Sequence, residues 1–249
     1  MKPGRGEPNV GTGRRDVVFE AVRLMYGGCG VSLAYEGSEA NDARQCAAVK
    51  NELRRLIDLM GSAGRSSTIS LRLSRIGMDV DEGLARSHLE ELIREAAVYG
   101  MSIMIHAEEP HRSDRALAVY KSVAERYPTA GFTLQANLQR AERDMADLLP
   151  FSGRIRIVEG KLPLAVKDGR ADSAEAYLRL AERAIASGRP VSIATHDESL
   201  LREVGRRGLL AAANAEVEML HGVRPDFQQT VRSVGRLRVY LSYYGRLMV

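Results

Sequence analysis

Hydrophobic and polar positions follow two different periods in turn along this chain. Short runs rich in β-branched residues alternate with longer stretches whose apolar residues recur at helical spacing. Eight of the short runs predict β-strands: VSLAYEG from Val31, STISLRLSRIG from Ser67, SIMIHAE from Ser102, GFTLQANL from Gly131, RIRIVEGK from Arg154, PVSIATHD from Pro190, AEVEML from Ala215 and RLRVYLSY from Arg236.

The amphipathic stretches between these strands predict helices. They cover residues 41–60, 81–99, 113–126, 140–149, 173–187, 199–206 and 226–234. Gly100, Gly188 and Gly235 follow three of them, where glycine commonly ends a helix. Because strands and helices alternate and the strand centres are apolar, the sequence predicts a parallel (β/α)8 barrel of the TIM type. A doubly wound open sheet is the alternative, although no G-x-G-x-x-G follows the first strand.

Both ends of the chain bear on this barrel. Residues 1–30 open with a basic segment rich in glycine and proline, which predicts a flexible or helical lead-in to a barrel of residues 31–249. Only residues 244–249 follow the last predicted strand, too few for an eighth helix. We therefore expect a barrel incomplete at that helix. Its seam would be open, or covered by the N-terminal segment or by a second copy of the chain.

Composition narrows the classes of function. The formal charge of +4 is spread along the 249 residues, tryptophan is absent and aromatics make up 5%. Nucleic-acid binding is therefore not expected, whereas a basic balance fits an anionic ligand. No apolar run approaches the roughly 18 residues of a membrane span. The N-terminus is unlike a secretory signal, and two cysteines, Cys29 and Cys46, favour a reducing cytoplasm.

Polar residues cluster at the C-terminal ends of the predicted strands, where barrel enzymes carry their active sites. Such side chains cost free energy inside apolar strands unless they are paired or used. The candidates are Arg72, Ser74, His106, Glu108, Gln135, Asn137, Arg156, Glu159, Thr195, His196, Asp197, Glu216, Glu218, Tyr240 and Tyr243. Structural roles remain open for them: Arg156 and Glu216 could form an ion pair inside the barrel, and His106 and Tyr240 could simply pack. No compact ligand motif is present, so no metal site is predicted.

Several of these stretches, taken in order, resemble the proline dehydrogenase family. They are LQANLQR from Leu134, RIRIVEGKLPL from Arg154, IATHDESLL from Ile193, EVEMLHGVRPD from Glu216 and RVYLSYYG from Arg238. The resemblance runs from about Val31 to Gly245. It implies a (β/α)8 barrel that carries FAD at its C-terminal face and oxidises a secondary amine by hydride transfer to the flavin.

The resemblance also implies roles for single residues. Residues at the family's cofactor-contacting positions are Gln135, Arg156, Thr195, His196 and Glu216. The candidates for catalysis are Arg156, His106, Arg72 and Tyr240. Arg72 stands where the family has a lysine, and His106 stands where it has an aspartate. An imidazole titrates near neutrality, so His106 is a candidate base or orienting group.

Other positions depart from the family's pattern. Glu159 replaces a lysine, Leu162 replaces a tyrosine, and the paired arginines of helix eight that hold the proline carboxylate have no counterpart. These departures predict a flavin-dependent oxidoreductase that acts on a C–N or N–N bond of a small nitrogenous compound other than proline. Two alternatives stay open. One is a flavin-free barrel with another activity, because Glu159 would repel the FAD pyrophosphate. The other is a partner-binding pseudoenzyme, with the barrel seam covered by another chain, for example in a homo-oligomer.

Overall fold

The computed structural model describes residues 13–37, 39–64, 67–160 and 170–245. Its strands are β1 Gly30–Tyr35, β2 Thr68–Leu71, β3 Ser102–Ile105, β4 Ala130–Gln135, β5 Ile155–Val158, β6 Val191–Ala194, β7 Ala215–Leu220 and β8 Leu237–Tyr243. The helices are α1 Arg14–Tyr26, α2 Ala43–Ser62, α3 Glu82–Val98, α4 Ser113–Ala124, α5 Ala141–Leu148, α6 Arg170–Ala186, α7 Glu198–Arg206 and α8 Pro225–Val234. The predicted alternation of strands and helices is confirmed.

The eight strands form a closed parallel barrel in chain order. β8 pairs with β1 over the whole length of β1, from Gly30 beside Arg238 to Tyr35 beside Tyr243. This pairing confirms the (β/α)8 barrel and excludes the open-sheet alternative. The expectation of an open seam is wrong for the sheet, because an open edge would leave the backbone groups of β1 and β8 without partners.

Helix α1 covers the outside of the β8–β1 seam. It packs on both strands and buries Val17, Val18 and Ala21. The described residues contain no helix after β8, so the N-terminal segment fills the place that an eighth helix would take. This is one of the three arrangements expected from the sequence. The part of the predicted lead-in at residues 1–12 lies outside the described residues.

A partly buried polar contact ties α1 to the barrel. Arg14 donates two hydrogen bonds to the carboxylate of Glu52 on α2, over 2.8 and 2.9 Å. The hydroxyl of Tyr243, at the end of β8, donates to the same carboxylate over 2.7 Å. Glu52 therefore joins α1, α2 and β8 at the seam.

The outer helices pack by their apolar faces on outward-facing strand residues. In α2 this face includes Val49, Leu53 and Leu56, each at most 2% exposed. Asp42 caps the helix by accepting from the backbone N–H of Gln45 over 2.8 Å. The amphipathic spacing thus fixes which side of each helix faces the sheet. None of the described helices combines the length and apolarity needed to cross a membrane.

Inward-facing positions of the barrel carry ion pairs where branched apolar residues are more usual. Alternation along the strands turns Arg154 and Arg156 of the β5 segment inward, while Ile155 and Ile157 face the helices. In the lower layer, toward the N-terminal ends of the strands, Glu216 contacts Arg154 and Arg238. One layer higher, Arg156 pairs with the second inward carboxylate of β7. Two layers of ion pairs therefore fill the barrel interior beneath the C-terminal face.

Candidate active site

A cavity of about 830 Å³ opens at the C-terminal ends of the strands. This volume lies within the range of about 300–1,000 Å³ typical of small-molecule and cofactor sites. Seven of the eight residues chosen from the sequence line it: Arg72, His106, Gln135, Arg156, Thr195, His196 and Tyr240. The expected location of the site at this face of the barrel therefore agrees with the cavity.

Arg156 forms the floor of the cavity and is 3% exposed. Its Nε donates to Glu218 over 2.9 Å, and its Nη2 donates to the other oxygen of that carboxylate over 2.6 Å. Nη2 also lies 3.3 Å from the hydroxyl of Ser32 and 3.1 Å from that of Ser70. Two parallel charge-assisted hydrogen bonds hold a guanidinium in one plane, so the position of Arg156 is fixed from below.

The third nitrogen of Arg156 is unsatisfied. Nη1 is buried and has no hydrogen-bond partner among the described residues. A buried donor without a partner costs about 1–3 kcal/mol, and native structures seldom leave one. Since Arg156 lines the cavity, a ligand acceptor placed there would satisfy Nη1.

Tyr240, His106 and Glu36 form a hydrogen-bonded chain along one wall. The hydroxyl of Tyr240 donates to the Glu36 carboxylate over 3.2 Å and lies 2.9 Å from Nε2 of His106. A phenol has one proton, so Nε2 of His106 must carry the proton of the second bond and donate it to the Tyr240 oxygen. Glu36 is held in turn by Arg75 over 2.7 Å.

The protonation states of this wall follow from burial and charge. Burial, with the positive charges of Arg156, Arg72 and Arg75, keeps the pKa of His106 well below 6.5. Burial and the nearby carboxylate of Glu36 raise the pKa of Tyr240 well above 10. At neutral pH His106 is therefore an uncharged imidazole and Tyr240 an intact phenol. A base with so low a pKa takes up a proton poorly at pH 7, which favours an orienting role for His106.

Arg72 is a second cation that lines the cavity. Its Nη1 donates to the backbone carbonyl of Ala107 over 2.8 Å. Within the described ranges, no carboxylate lies within ion-pair distance of its guanidinium, whereas nearby Arg75 is paired with Glu36. Arg72 thus keeps a positive charge available for an anionic group of a ligand.

His196 presents a second unsatisfied donor. Its Nε2 accepts from the backbone N–H of Leu220 over 3.3 Å, so the proton of the neutral ring lies on Nδ1. Burial and, to a lesser extent, the charge of Arg224 lower the pKa of His196, which keeps the ring neutral at pH 7. Nδ1 is buried and has no partner among the described residues. The ring therefore offers one N–H donor to a ligand.

Thr195 and Glu159 meet at the rim. The hydroxyl of Thr195 donates to the Glu159 carboxylate and accepts from the backbone N–H of Asp197 over 3.0 Å. Glu159 is exposed and is followed by Gly160 in the left-handed region, at φ = +92°. The rim thus carries a carboxylate where the family resemblance places a lysine. The departure expected at Leu162 lies outside the described residues.

Gln135 closes the fourth-strand side of the cavity. Its side-chain amide donates to the backbone carbonyl of Glu108 over 3.0 Å. Glu108 accepts from both the backbone N–H and the hydroxyl of Ser74, over 3.0 and 2.9 Å. The amide plane of Gln135 is therefore held by the main chain of the neighbouring strand end.

The structure places Glu216 outside the cavity. It lies in the lower layer with Arg154 and Arg238, and the carboxylate that reaches Arg156 is Glu218. The structural ion pair considered for Arg156 and Glu216 is therefore a pair between Arg156 and Glu218. Glu218 is among the polar strand-end residues of the sequence, but the family resemblance points to Glu216 instead. Glu36 is absent from the residues predicted for the site, although the carboxylate at the strand end in VSLAYEG is a signal for it.

A closed (β/α)8 barrel with a polar cavity at the C-terminal ends of its strands has the architecture of a barrel enzyme. A sequence model of the family described as proline dehydrogenase matches residues 19–157. The chain belongs to the proline dehydrogenase family, and by that membership it is a flavin-dependent dehydrogenase.

Individual relatives agree with this assignment. Proline dehydrogenase 1 of Bacillus subtilis strain 168 is 27% identical over 240 residues, which cover 92% of this chain and 79% of the relative. Proline dehydrogenase of Deinococcus radiodurans is 29% identical over 219 residues, 83% of this chain and 71% of the relative.

A solved structure shares the fold. Proline utilization A (PutA) from Bdellovibrio bacteriovorus matches 96% of this chain with a TM-score of 0.82 at 14% identity. The chain spans 31% of that larger protein. At this identity the likeness shows the barrel fold alone.

Proposed function

We propose that this chain binds FAD in the cavity and oxidises proline there. The family match supports this substrate, as do relatives named proline dehydrogenases that are matched over most of their length. They favour proline over the other small nitrogenous compound expected from the sequence. The exchanges at Arg72 and His106 are then changes in how the same substrate is held.

The observation that carries the proposal is a set of three unsatisfied polar atoms on residues that line the cavity. Arg156 Nη1 and His196 Nδ1 are buried without partners, and the hydroxyl of Thr133, which also lines the cavity, is a third such group. A flavin ring with its ribityl-phosphate chain carries nitrogen and oxygen acceptors along its length, which fits several separated donors. Gln135, Arg156, Thr195 and His196 would hold it, and Glu218 would support Arg156 in place of the predicted Glu216.

The protein's part in the reaction is to position and polarise. Held by these residues, FAD would supply the two-electron acceptor for oxidation of the C–N bond to C=N. Arg156 would place a fixed positive donor beside the group that gains negative charge, which stabilises that charge without reorganisation. The closed floor of the barrel would keep water from that side of the cavity.

Arg72 is the group best suited to hold the substrate's carboxylate, because its guanidinium is charged and lacks a carboxylate partner within the described structure. Tyr240 would form the neighbouring wall, with its hydroxyl kept in place by bonds to Glu36 and His106. An uncharged His106 adds no repulsion toward the substrate's ammonium group, and it orients Tyr240. The amine must be unprotonated when the hydride leaves.

One spectroscopic experiment tests both parts of the proposal. Purified protein reconstituted with FAD should show bound-flavin absorbance, and anaerobic proline should bleach it. Pyrrolidine, which has the same ring without the carboxylate, is the matched ligand and should bleach it far more slowly. Failure to bind FAD would remove the flavin assignment. Bound FAD that another small amine bleaches and proline does not would remove the substrate assignment alone.

A specific observation favours a second candidate, a member of the family that binds FAD only weakly. Glu159 places a carboxylate on the rim, fixed by Thr195. Negative charge there would oppose the phosphates of FAD by Coulomb repulsion. A protein that stays colourless with FAD, and becomes yellow when Glu159 is replaced by lysine, would support this candidate.

A further inference from the structure

Glu218 and Arg156 form a closed charge pair beneath the cavity. Both side chains are 3% exposed, and both oxygens of the carboxylate accept from the guanidinium. Burial alone would raise the pKa of Glu218, but attraction and hydrogen bonds from Arg156 outweigh it, so the pKa lies below 4.5. The carboxylate is therefore ionised across neutral pH and opposes the guanidinium's positive charge.

The same pair decides which part of Arg156 faces a ligand. Nε and Nη2 are both engaged by Glu218, and Nη2 also contacts Ser32 and Ser70. Only Nη1 remains without a partner among the described residues. Hydrogen bonds at two of its nitrogens prevent the planar guanidinium from rotating. The third nitrogen, Nη1, is therefore held in a single orientation.

We infer that Glu218 is a positioning residue that sets the direction and the effective charge of Arg156 toward the bound flavin, and so holds down the flavin's reduction potential. The inference rests on the proposed function, since it needs FAD in the cavity. Reduction adds negative charge to the flavin, and a nearby unpaired cation would favour the reduced form. A carboxylate bonded directly to that cation weakens this effect, most strongly where water is excluded.

The test is the reduction potential of bound FAD in Glu218→Gln. Glutamine keeps the size and one acceptor for Arg156 but removes the negative charge. We expect the ratio of reduced to oxidised flavin at a fixed potential to rise by at least about tenfold, which is about 30 mV for a two-electron couple. Glu218→Asp keeps the charge, so its potential should stay much closer to the wild-type value.

Glu216→Gln is the matched control. Glu216 lies on the same strand, faces the same way and is also paired with arginines, but it does not line the cavity. Its replacement should change the reduced-to-oxidised ratio by less than about threefold, about half of the tenfold shift on a logarithmic scale. Thermal melts of both variants report whether each barrel is still folded.

The outcomes separate this inference from the proposed function. An unchanged potential in Glu218→Gln with normal FAD binding overturns the inference alone, and so does an equal shift in Glu216→Gln. Absence of FAD binding by the wild-type chain overturns the proposed function and the inference together. If Glu218→Gln does not fold, the double variant Arg156→Gln/Glu218→Gln leaves no unpaired buried charge. If the flavin potential of this double variant is close to the wild-type value, the charges of Arg156 and Glu218 cancel each other in the wild-type chain. A fall of about tenfold in the ratio of reduced to oxidised flavin would overturn the inference.

Discussion

His106 donates its Nε2 proton to the hydroxyl oxygen of Tyr240 over 2.9 Å, and the two rings meet edge to face with their centroids 5.6 Å apart. The bond requires a proton on Nε2, and the low pKa of His106 leaves the other ring nitrogen unprotonated at neutral pH. Protonating His106 would place a new positive charge near Arg156 and Arg72. The barrel should therefore resist protonation at this position and lose stability when acid enforces it.

The free energy of unfolding should fall as the pH drops below about 6.5, and His106 should cause part of that fall. Below the unfolded-state pKa of about 6.5 the unfolded chain binds a proton at this position that the folded chain does not, so stability rises with pH through this window. One such proton corresponds to at most about 1.4 kcal/mol per pH unit. Urea unfolding of His106→Gln between pH 5 and pH 7.5 should show a flatter dependence. His111→Gln, at an exposed position, is the control and should keep the wild-type slope.

Replacing Arg72 by alanine should weaken the binding of proline and spare pyrrolidine. Removing a charged hydrogen-bond partner costs about 1.5–3 kcal/mol, which corresponds to a roughly 10- to 150-fold rise in KM for proline. Pyrrolidine has no carboxylate, so its slow oxidation should change little. Steady-state rates with both compounds check this. An equal loss for the two substrates would show that Arg72 does not contact the carboxylate.

The order of strands and helices was readable from the sequence because it depends on local periodicity. Residues such as Ile155 and Ile157 alternate with Arg154 and Arg156, and this alternation alone separates the helix-facing side of the strand from the barrel interior. Closure of the seam between β8 and β1 could not be predicted from local periodicity. It depends on the pairing of β8 with β1 and on the docking of α1, both of which are contacts between distant parts of the chain.

Glu216 and Glu218 show why part of the site could not be predicted from the sequence. Both glutamates have the same parity on β7, so alternation turns both inward. Strand pairing puts Arg156 beside Ser192 and Ser192 beside Glu216. However, the strands tilt against the barrel axis, so following paired residues around the barrel changes the height. Two strands away, the carboxylate level with Arg156 is the one two residues further on, Glu218.

Glu52→Ala should destabilise the barrel by about 2–4 kcal/mol, because it leaves Arg14 and Tyr243 without their shared partner at the seam. Urea unfolding at pH 7 measures the effect. Glu203→Ala is the control: Glu203 contacts Arg206 and Arg207 on the surface, where ion pairs contribute about 0–1 kcal/mol. Equal losses in the two variants would contradict the role of Glu52 in fastening α1 to the barrel.

Glu159→Lys should increase the affinity of the chain for FAD. The wild-type carboxylate is fixed at the rim by Thr195, and a charge of opposite sign there would attract the phosphates of the cofactor. Two unit charges about 4 Å apart in water interact by about 1 kcal/mol. Reversing the sign changes this interaction by up to about 2 kcal/mol, so the Kd should fall by up to about 30-fold, and the gain should shrink with added salt. Equilibrium titration followed by flavin fluorescence measures both effects.

The control for this prediction is Glu109→Lys. Glu109 is another exposed carboxylate that lines the cavity, in the loop that follows β3. The Glu109→Lys substitution changes the net charge by the same amount, but at a different part of the rim. If the two lysine variants bind FAD equally tightly, the gain comes from net charge and Glu159 does not lie near the phosphates. If only Glu159→Lys binds more tightly, the phosphates lie beside the end of β5, and the glutamate weakens cofactor binding in the wild-type chain.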